Sequence, residues 1–169
     1  IILQKEIPIY PEENCESLHD RLAKLGGVAL KESLRLFNSG KPQGTPQNHE
    51  EATYCQKIHK AMGQIDWNMP IDRIKNHVRG LTPWPGAYTY IKGLRLKVWE
   101  IGQKEYLQEE NLTPGRVVHA DEKQGLVVAG SNGLVRLSKV QAPGKRAMED
   151  VEFLRGNKVE INSILEGNK

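Results

Sequence analysis

The sequence predicts an α+β chain in which a strand and a long amphipathic helix precede a small β-barrel carrying short helices. Three observations predict it. Apolar residues recur at helical spacing from Leu18 to Phe37. The stretch from Gly40 to Tyr54 is polar and rich in Pro, Gly and Gln. From Ala87 onward the period changes to the alternation of strands.

Taken in order, Ile1 to Ile9 reads as a strand. Leu18, Leu22, Leu25 and Ala29, then Leu30, Leu34 and Phe37, predict a helix that Asn14 caps and that Gly40 and Pro42 stop. Gly26-Gly27 inside it predicts a kink or a close contact. The polar stretch that follows is the candidate domain boundary. In "NMPIDRIKNHVRG", Ile71, Ile74 and Val78 share one face of a short helix. Asn68 is its candidate N-cap, Pro70 fits its first turn and Gly80 ends it.

"RGLTPWPGAYT", Arg79 to Thr89, is too stiff for a linker and too broken for a helix or strand. Pro83 and Pro85 fix φ and bias the residues before them towards extended geometry. Trp84 and Gly86 complete a rigid, aromatic-bearing joint. Then come three hairpins: one turning at Lys92-Gly93, one within "GRVVHADEKQGLVVAG", and one at Asn132-Gly133, a pair that accepts positive φ at both turn positions. Five or more short strands with tight turns imply a small closed sheet, and an OB-like barrel fits the size. "EDVEFLRG" reads as a short helix ended by Gly156, and "INSILEGNK" as a loose tail.

The composition narrows the function classes. The chain has 169 residues, a formal net charge of +3 and a mean hydropathy of −0.57, which predict a soluble protein. There is no signal-peptide pattern and no run of the roughly 20 apolar residues that a membrane span needs. The opening "IILQKEIPIY" lacks an initiator Met, so a piece of a longer polypeptide is expected. Cys15 and Cys55 sit in no zinc-type pattern and are expected to be reduced thiols. His19, His49, His59, His77 and His119 show no metal-type spacing. His19 and His77 are expected on polar helix faces and His119 in a structural role. With no GxSxG, P-loop or GxGxxG, the residues present no recognisable catalytic or metal site.

Binding is the better-supported class. In "GLRLKVWEI", alternation sends Leu94, Leu96 and Val98 inward and Arg95, Lys97 and Trp99 outward. Outward cations beside an indole make a phosphate-plus-stacking platform for RNA, although any barrel shows some Lys and Arg outside. In "APGKRAMED" a Pro-Gly turn displays Lys145 and Arg146 before a helix N-terminus that favours anions. Lys57 and Lys60, three apart, would share one side of a helical turn.

The blocks "ATYCQKIHKAMGQIDW", "VRGLTPWPGAYTYIKGLRLKVWE" and "VQAPGKRAMEDVEFLRG" resemble, in order and spacing, the C-terminal part of the bacterial methionyl-tRNA formyltransferases. The resemblance covers essentially the whole chain. It implies that residues 1–40 are the strand-helix remnant of a Rossmann-like formyltransferase domain, 41–66 a linker, and 67–169 an OB-like tRNA-binding domain. It implies formyl transfer from 10-formyltetrahydrofolate, the parent enzyme's co-substrate, to the amino group of Met on initiator tRNA, in the cytoplasm. The family's catalytic Asn-x-His and following Asp belong to the N-terminal catalytic domain. This chain has no Asn-x-His, so no catalytic residue and no bound cofactor carry over and the chain alone is expected to be inactive. The partners implied are initiator Met-tRNA, met by Lys57, Lys60, Arg95, Lys97, Lys145 and Arg146, and the missing catalytic domain. Self-association through the exposed N-terminal helix is also expected, and no membrane. The rivals are a fragment of a formyltetrahydrofolate hydrolase or dehydrogenase, a sugar-amine formyltransferase, or a purely structural barrel.

Overall fold

The computed structural model describes residues 1–102, 104–106 and 113–166. The chain divides into two compact units, Ile1–Lys57 and Ile58–Lys169.

The first unit is built around α1, Cys15–Asn38. Its N-terminus carries a reciprocal capping box: Ser17 N–H donates to Asn14 Oδ1 (2.9 Å), and Asn14 N–H donates to Ser17 Oγ (3.1 Å). The helix passes through Gly26-Gly27 without interruption. A Cβ on either glycine would meet nothing within 4 Å, so the pair marks no close contact. No residue of α1 is buried. The strand expected over Ile1 to Ile9 does not form. An extended segment becomes a strand only when a neighbour completes its hydrogen bonds. Here the N-terminal ammonium donates to Thr45 O (2.7 Å) and Thr45 N–H donates to Ile1 O (2.9 Å), and no ladder follows among the described residues.

The second unit holds two four-stranded antiparallel sheets around one core. Its strands are β1 (Ala87–Ile91), β2 (Leu94–Glu100), β3 (Lys104–Tyr106), β4 (Val117–Asp121), β5 (Gly125–Ala129), β6 (Gly133–Arg136), β7 (Lys139–Gln141) and β8 (Met148–Glu149). The sheet orders are β1-β2-β7-β8 and β3-β6-β5-β4. The strands therefore form two open sheets rather than the single closed sheet expected from their number. A register shift at Val98/Glu100 interrupts the β2–β7 pairing, and Gly102 N–H then donates to Arg136 O (2.9 Å) where the chain passes from β2 towards β3.

The C-terminal segment spans the opposite edges and is not the loose tail its composition suggests. Glu166 and Tyr90 of β1 exchange backbone hydrogen bonds (2.9 and 3.2 Å), and Val117 N–H of β4 donates to Ser163 O (2.8 Å). Leu165, between these contacts, is buried in the core. The strap is fixed by one apolar side chain and edge-strand backbone groups, and neither leaves a period in the sequence. Residues 167–169 lie outside the described residues.

Helix α2, Ile71–Gly80, buries Ile71, Ile74 and Val78 as its spacing predicts. Full burial of each such side chain is worth about 1.5–3 kcal/mol. Its cap differs from expectation. Asn68 turns to Asp66 Oδ1, while the first N–H of α2 is taken by Asn132 Oδ1 at 2.9 Å, 61 residues away. This reshapes the reading of the Asn132-Gly133 hairpin. The hairpin exists, but Gly130 N–H donates to Gly133 O (2.8 Å), placing Ser131 and Asn132 at its tip. Neither Asn132 nor Gly133 has a positive φ. Gly133 is needed for space instead, because a Cβ there would meet the Glu105 carbonyl and lie 2.9 Å from Ile71 Cδ1. The Lys92-Gly93 turn does use positive φ at both positions (49° and 76°).

Helix α3 spans Asp150–Gly156. Asp150, fully buried, takes two hydrogen bonds from Arg136 (2.7 and 2.8 Å) and one from Leu126 N–H (2.9 Å).

Candidate nucleic-acid interface

The outer face of the first sheet is set by register. Tyr88 lies opposite Lys97 and Tyr90 opposite Arg95, while Lys97 also lies opposite Gln141 of β7. Leu96 and Val98 point inward and are buried, so Arg95, Lys97 and Trp99 point outward as predicted. Leu94 departs from the pattern. It follows the hairpin turn, beyond the reach of the core, and is 63 % exposed.

The cations on this face rest on aromatic rings. The Arg95 guanidinium lies 3.8 Å from the Tyr88 ring centroid, and Lys97 Nζ lies 3.9 Å from that of Trp99. Trp99 Nε1 donates to Gln141 Oε1 (2.9 Å), and Gln141 Nε2 donates to Lys145 O (2.7 Å). The Pro143-Gly144 turn, with Gly144 at φ 69° and Lys145 N–H donating to Ala142 O (3.1 Å), is thereby tied to β2. Burial, helped by the neighbouring Arg95 charge, holds the Lys97 pKa below the ordinary lysine range.

The Arg79–Thr89 stretch borders this face. Gly86 N–H donates to Leu81 O (2.8 Å), Thr82 Oγ1 donates to Val78 O (2.8 Å), and the Thr82-Pro83 and Trp84-Pro85 peptides are cis. Lys97 Nζ donates to Pro83 O (3.3 Å). Gly86 has φ 81°, and a Cβ there would sit in the Lys97 side chain, 2.7 Å from Nζ. Trp84 is 58 % exposed.

Arg95 and Lys97 lie on this face, and the backbone of Lys145 is tied to it through Gln141. Arg146 is exposed but turned to Glu152 (Nη2 to Oε1, 2.6 Å). The anion attraction expected at the start of α3 is already met internally: Val151 N–H donates to Asp150 Oδ1 (2.9 Å), with Glu149 and Glu152 alongside. Lys60 opens a short 3-10 helix, Lys60–Gly63, that packs on β1, where a Cβ on Gly63 would lie 3.1 Å from the Tyr88 ring. Lys57 belongs to the other unit and to no helix, so no helical turn joins the two lysines. Tyr88 and Gln141 were not singled out from the sequence; only the pairing of β1 and β7 with β2 reveals them.

His77 is also placed differently from expectation. It is half-buried, its Nε2 has no partner among the described residues, and burial lowers its pKa against the pull of the Gly63 backbone and Asp66. Among the described residues no group of three or more His, Cys, Asp or Glu side chains is arranged to hold a metal, and no helix is long and apolar enough to cross a membrane. What this face offers is fixed cations, aromatic surface and backbone dipoles: the means to bind a polyanion.

Residues 57–158 match the family model described as formyl transferase, C-terminal domain, and the chain belongs to that family. The chain is 38% identical over 165 residues to a methionyl-tRNA formyltransferase of Caldanaerobacter subterraneus subsp. tengcongensis, covering 98% of this chain and 52% of the relative. It is 40% identical over 165 residues to that of Geotalea daltonii, covering 98% and 51%. The chain thus spans about half the length of the curated relatives it matches. Among solved structures it is similar to a variant of HypX from Aquifex aeolicus (TM-score 0.52, 19% identity, 80% of this chain and 26% of that one). It is also similar to HypX in complex with tetrahydrofolic acid (TM-score 0.50, 18% identity, 80% and 26%). At these identities the likeness is one of fold.

Proposed function

We propose that this chain is the C-terminal portion of a methionyl-tRNA formyltransferase and that it docks initiator Met-tRNA through the outer face of β1, β2 and β7. The carrying observation is that nearly the whole chain aligns with half of relatives bearing that name. The cations Arg95 and Lys97, held on aromatic rings, and Lys145, on a turn whose backbone is tied to Gln141, supply the matching chemistry. Residues 1–40 are assigned to the end of the catalytic domain, 41–66 to the linker and 67–169 to an OB-like tRNA-binding domain, whose two sheets and C-terminal strap wrap one core. Lys57, Lys60 and Arg146 extend the contact, and Pro83, Trp84, Pro85 and Gly86 hold its border rigid. The formyl group comes from 10-formyltetrahydrofolate in the cytoplasm, on the N-terminal catalytic domain. No residue of this chain is assigned to the co-substrate or to the chemistry, and the chain alone leaves Met-tRNA unformylated.

The contact is mainly to phosphates, so affinity falls steeply with salt and depends little on sequence. Charge reversal of Lys145 and Arg146 together should weaken tRNA binding by about 1–3 kcal/mol, the order expected for two charge-assisted contacts. The measurement is tRNA affinity of wild type and the double Glu variant across a salt series. Equal affinities with equal salt slopes would remove this turn from the interface.

A further inference from the structure

Beside the cationic face lies a concavity of about 300 Å³ whose walls include Leu94, Leu96, Pro143, Phe153 and Val159. Its size is at the small end of ligand sites, fit for one ring system rather than an extended molecule. The exposure of Leu94, anomalous for an alternating strand, has its account here: the side chain forms one lip of the groove. The rim is basic. Arg95 and Lys158 line it, and so does Lys92, whose charge is matched by Glu160 at 2.8 Å. Arg95 belongs to both features: it lines the groove and its guanidinium lies on Tyr88 of the proposed RNA face. Pro143 begins the turn that carries Lys145, so the groove and the cationic turn share a wall.

We propose that this groove receives one unpaired base of the bound RNA, with the flanking phosphates held by Arg95 and Lys158. The inference rests on the RNA reading above and deepens it. The cationic face alone treats paired and unpaired RNA alike, because phosphates are present in both. An apolar slot with a basic rim distinguishes them, because only an unstacked base can leave its helix to enter. Other anions with an apolar part share the slot's chemistry, but the continuity of Arg95 with the face favours a nucleotide. Stacking or apolar contact with one base adds sequence-tolerant affinity to a phosphate-tracking surface.

The test uses the full chain, a single-stranded RNA in uridine-rich and adenine-rich form, and an RNA duplex long enough to stay paired, all matched in total phosphate number. Wild type should bind the single strand more tightly than the duplex, and its addition should shift the backbone amide signals of Leu94, Asn157 and Val159. Leu94→Asn changes no charge and alters an exposed residue, so folding is preserved. It should weaken the single strand about tenfold, in the range of one lost base contact, and leave the duplex within about twofold. Lys158→Ala should lower the salt slope for the single strand. Equal loss on both probes, or none on either, overturns the groove while leaving the phosphate-binding face intact. A wild type that binds neither probe overturns the nucleic-acid reading itself, and the groove with it.

Discussion

Arg136 and Asp150 form a two-pronged ion pair, Nε to Oδ2 at 2.7 Å and Nη2 to Oδ1 at 2.8 Å, that fastens β6 to the first residue of α3. Asp150 is fully buried and also takes Leu126 N–H of β5. A Cβ on Gly125 would meet Asp150 Oδ2 and lie 2.5 Å from Arg136 Nε, so the tight turn before β5 accommodates the pair. The hydrogen bonds that Arg136 donates to Asp150 raise its pKa further, so the guanidinium is charged throughout the accessible range. Removing Arg136 strands the fully buried Asp150 carboxylate, at a cost of about 3–5 kcal/mol. Arg136→Ala should lower unfolding free energy by that order in urea titrations. A loss below about 1 kcal/mol would show that the pair contributes no more than a surface bridge.

Asn132 is the second long-range fastener. Its side chain accepts the Ile71 N–H at 2.9 Å and so caps a helix it does not belong to. Loss of an N-cap side chain costs about 0.5–2 kcal/mol. Because neither Asn132 nor Gly133 uses positive φ, the cost of Asn132→Ala comes from the cap and not from the turn. Asn132→Asp, which retains the acceptor, should recover most of the stability. If Asp is as poor as Ala by thermal unfolding, the cap is not the source of the effect.

These two contacts show where the sequence stops being informative. Local periodicity and turn chemistry located α1, α2, α3 and the hairpins, because those depend on neighbours in the chain. Asn14 was legible as a cap for the same reason, whereas Asn68 was misread because its rival for the position comes from a distant hairpin. "KRAMED" drew attention to its cations. Its aspartate, which neutralises the helix start and holds Arg136, needs the pairing of β5 with β6 to be seen. In the candidate interface, alternation exposed Arg95 and Lys97, but their aromatic beds and the link through Gln141 follow from strand order. Only the relative position of strands turns scattered cations into a surface.

His77 should make stability pH-dependent. Burial lowers its folded pKa below 6.5, with the Gly63 backbone and Asp66 pulling the other way. The unfolded chain therefore binds the proton more readily, and unfolding free energy rises with pH across the interval between the folded pKa and 6.5. The contribution is complete above the unfolded value and lost as pH falls through the folded one. Wild-type Tm should drop between about pH 7.5 and 5.5, and His77→Gln should flatten that part of the profile. Parallel profiles for the two proteins would exclude His77 as the titrating group.

Helix α1 carries an apolar set with no buried member: Leu22, Val28, Leu30, Leu34, Leu36 and Phe37 are 41 to 62 % exposed. Leu30, Leu34 and Phe37 follow one another at spacings of four and three, which places them on one side of the helix. Contiguous apolar patches beyond roughly 400 Å² seldom stay bare in water. The 169-residue chain is therefore expected to self-associate through α1, with apparent mass rising with concentration in sedimentation equilibrium. Leu34→Lys together with Phe37→Lys should restore a monomer by placing two like charges on the seam. It should leave the ladders of the second unit intact, because no residue of α1 belongs to that core. Two outcomes would contradict this. One is a wild type that stays monomeric across the whole concentration range while the amides of α1 are protected from hydrogen exchange. The other is a double-lysine variant that associates as strongly as the wild type, which would move the contact to another surface.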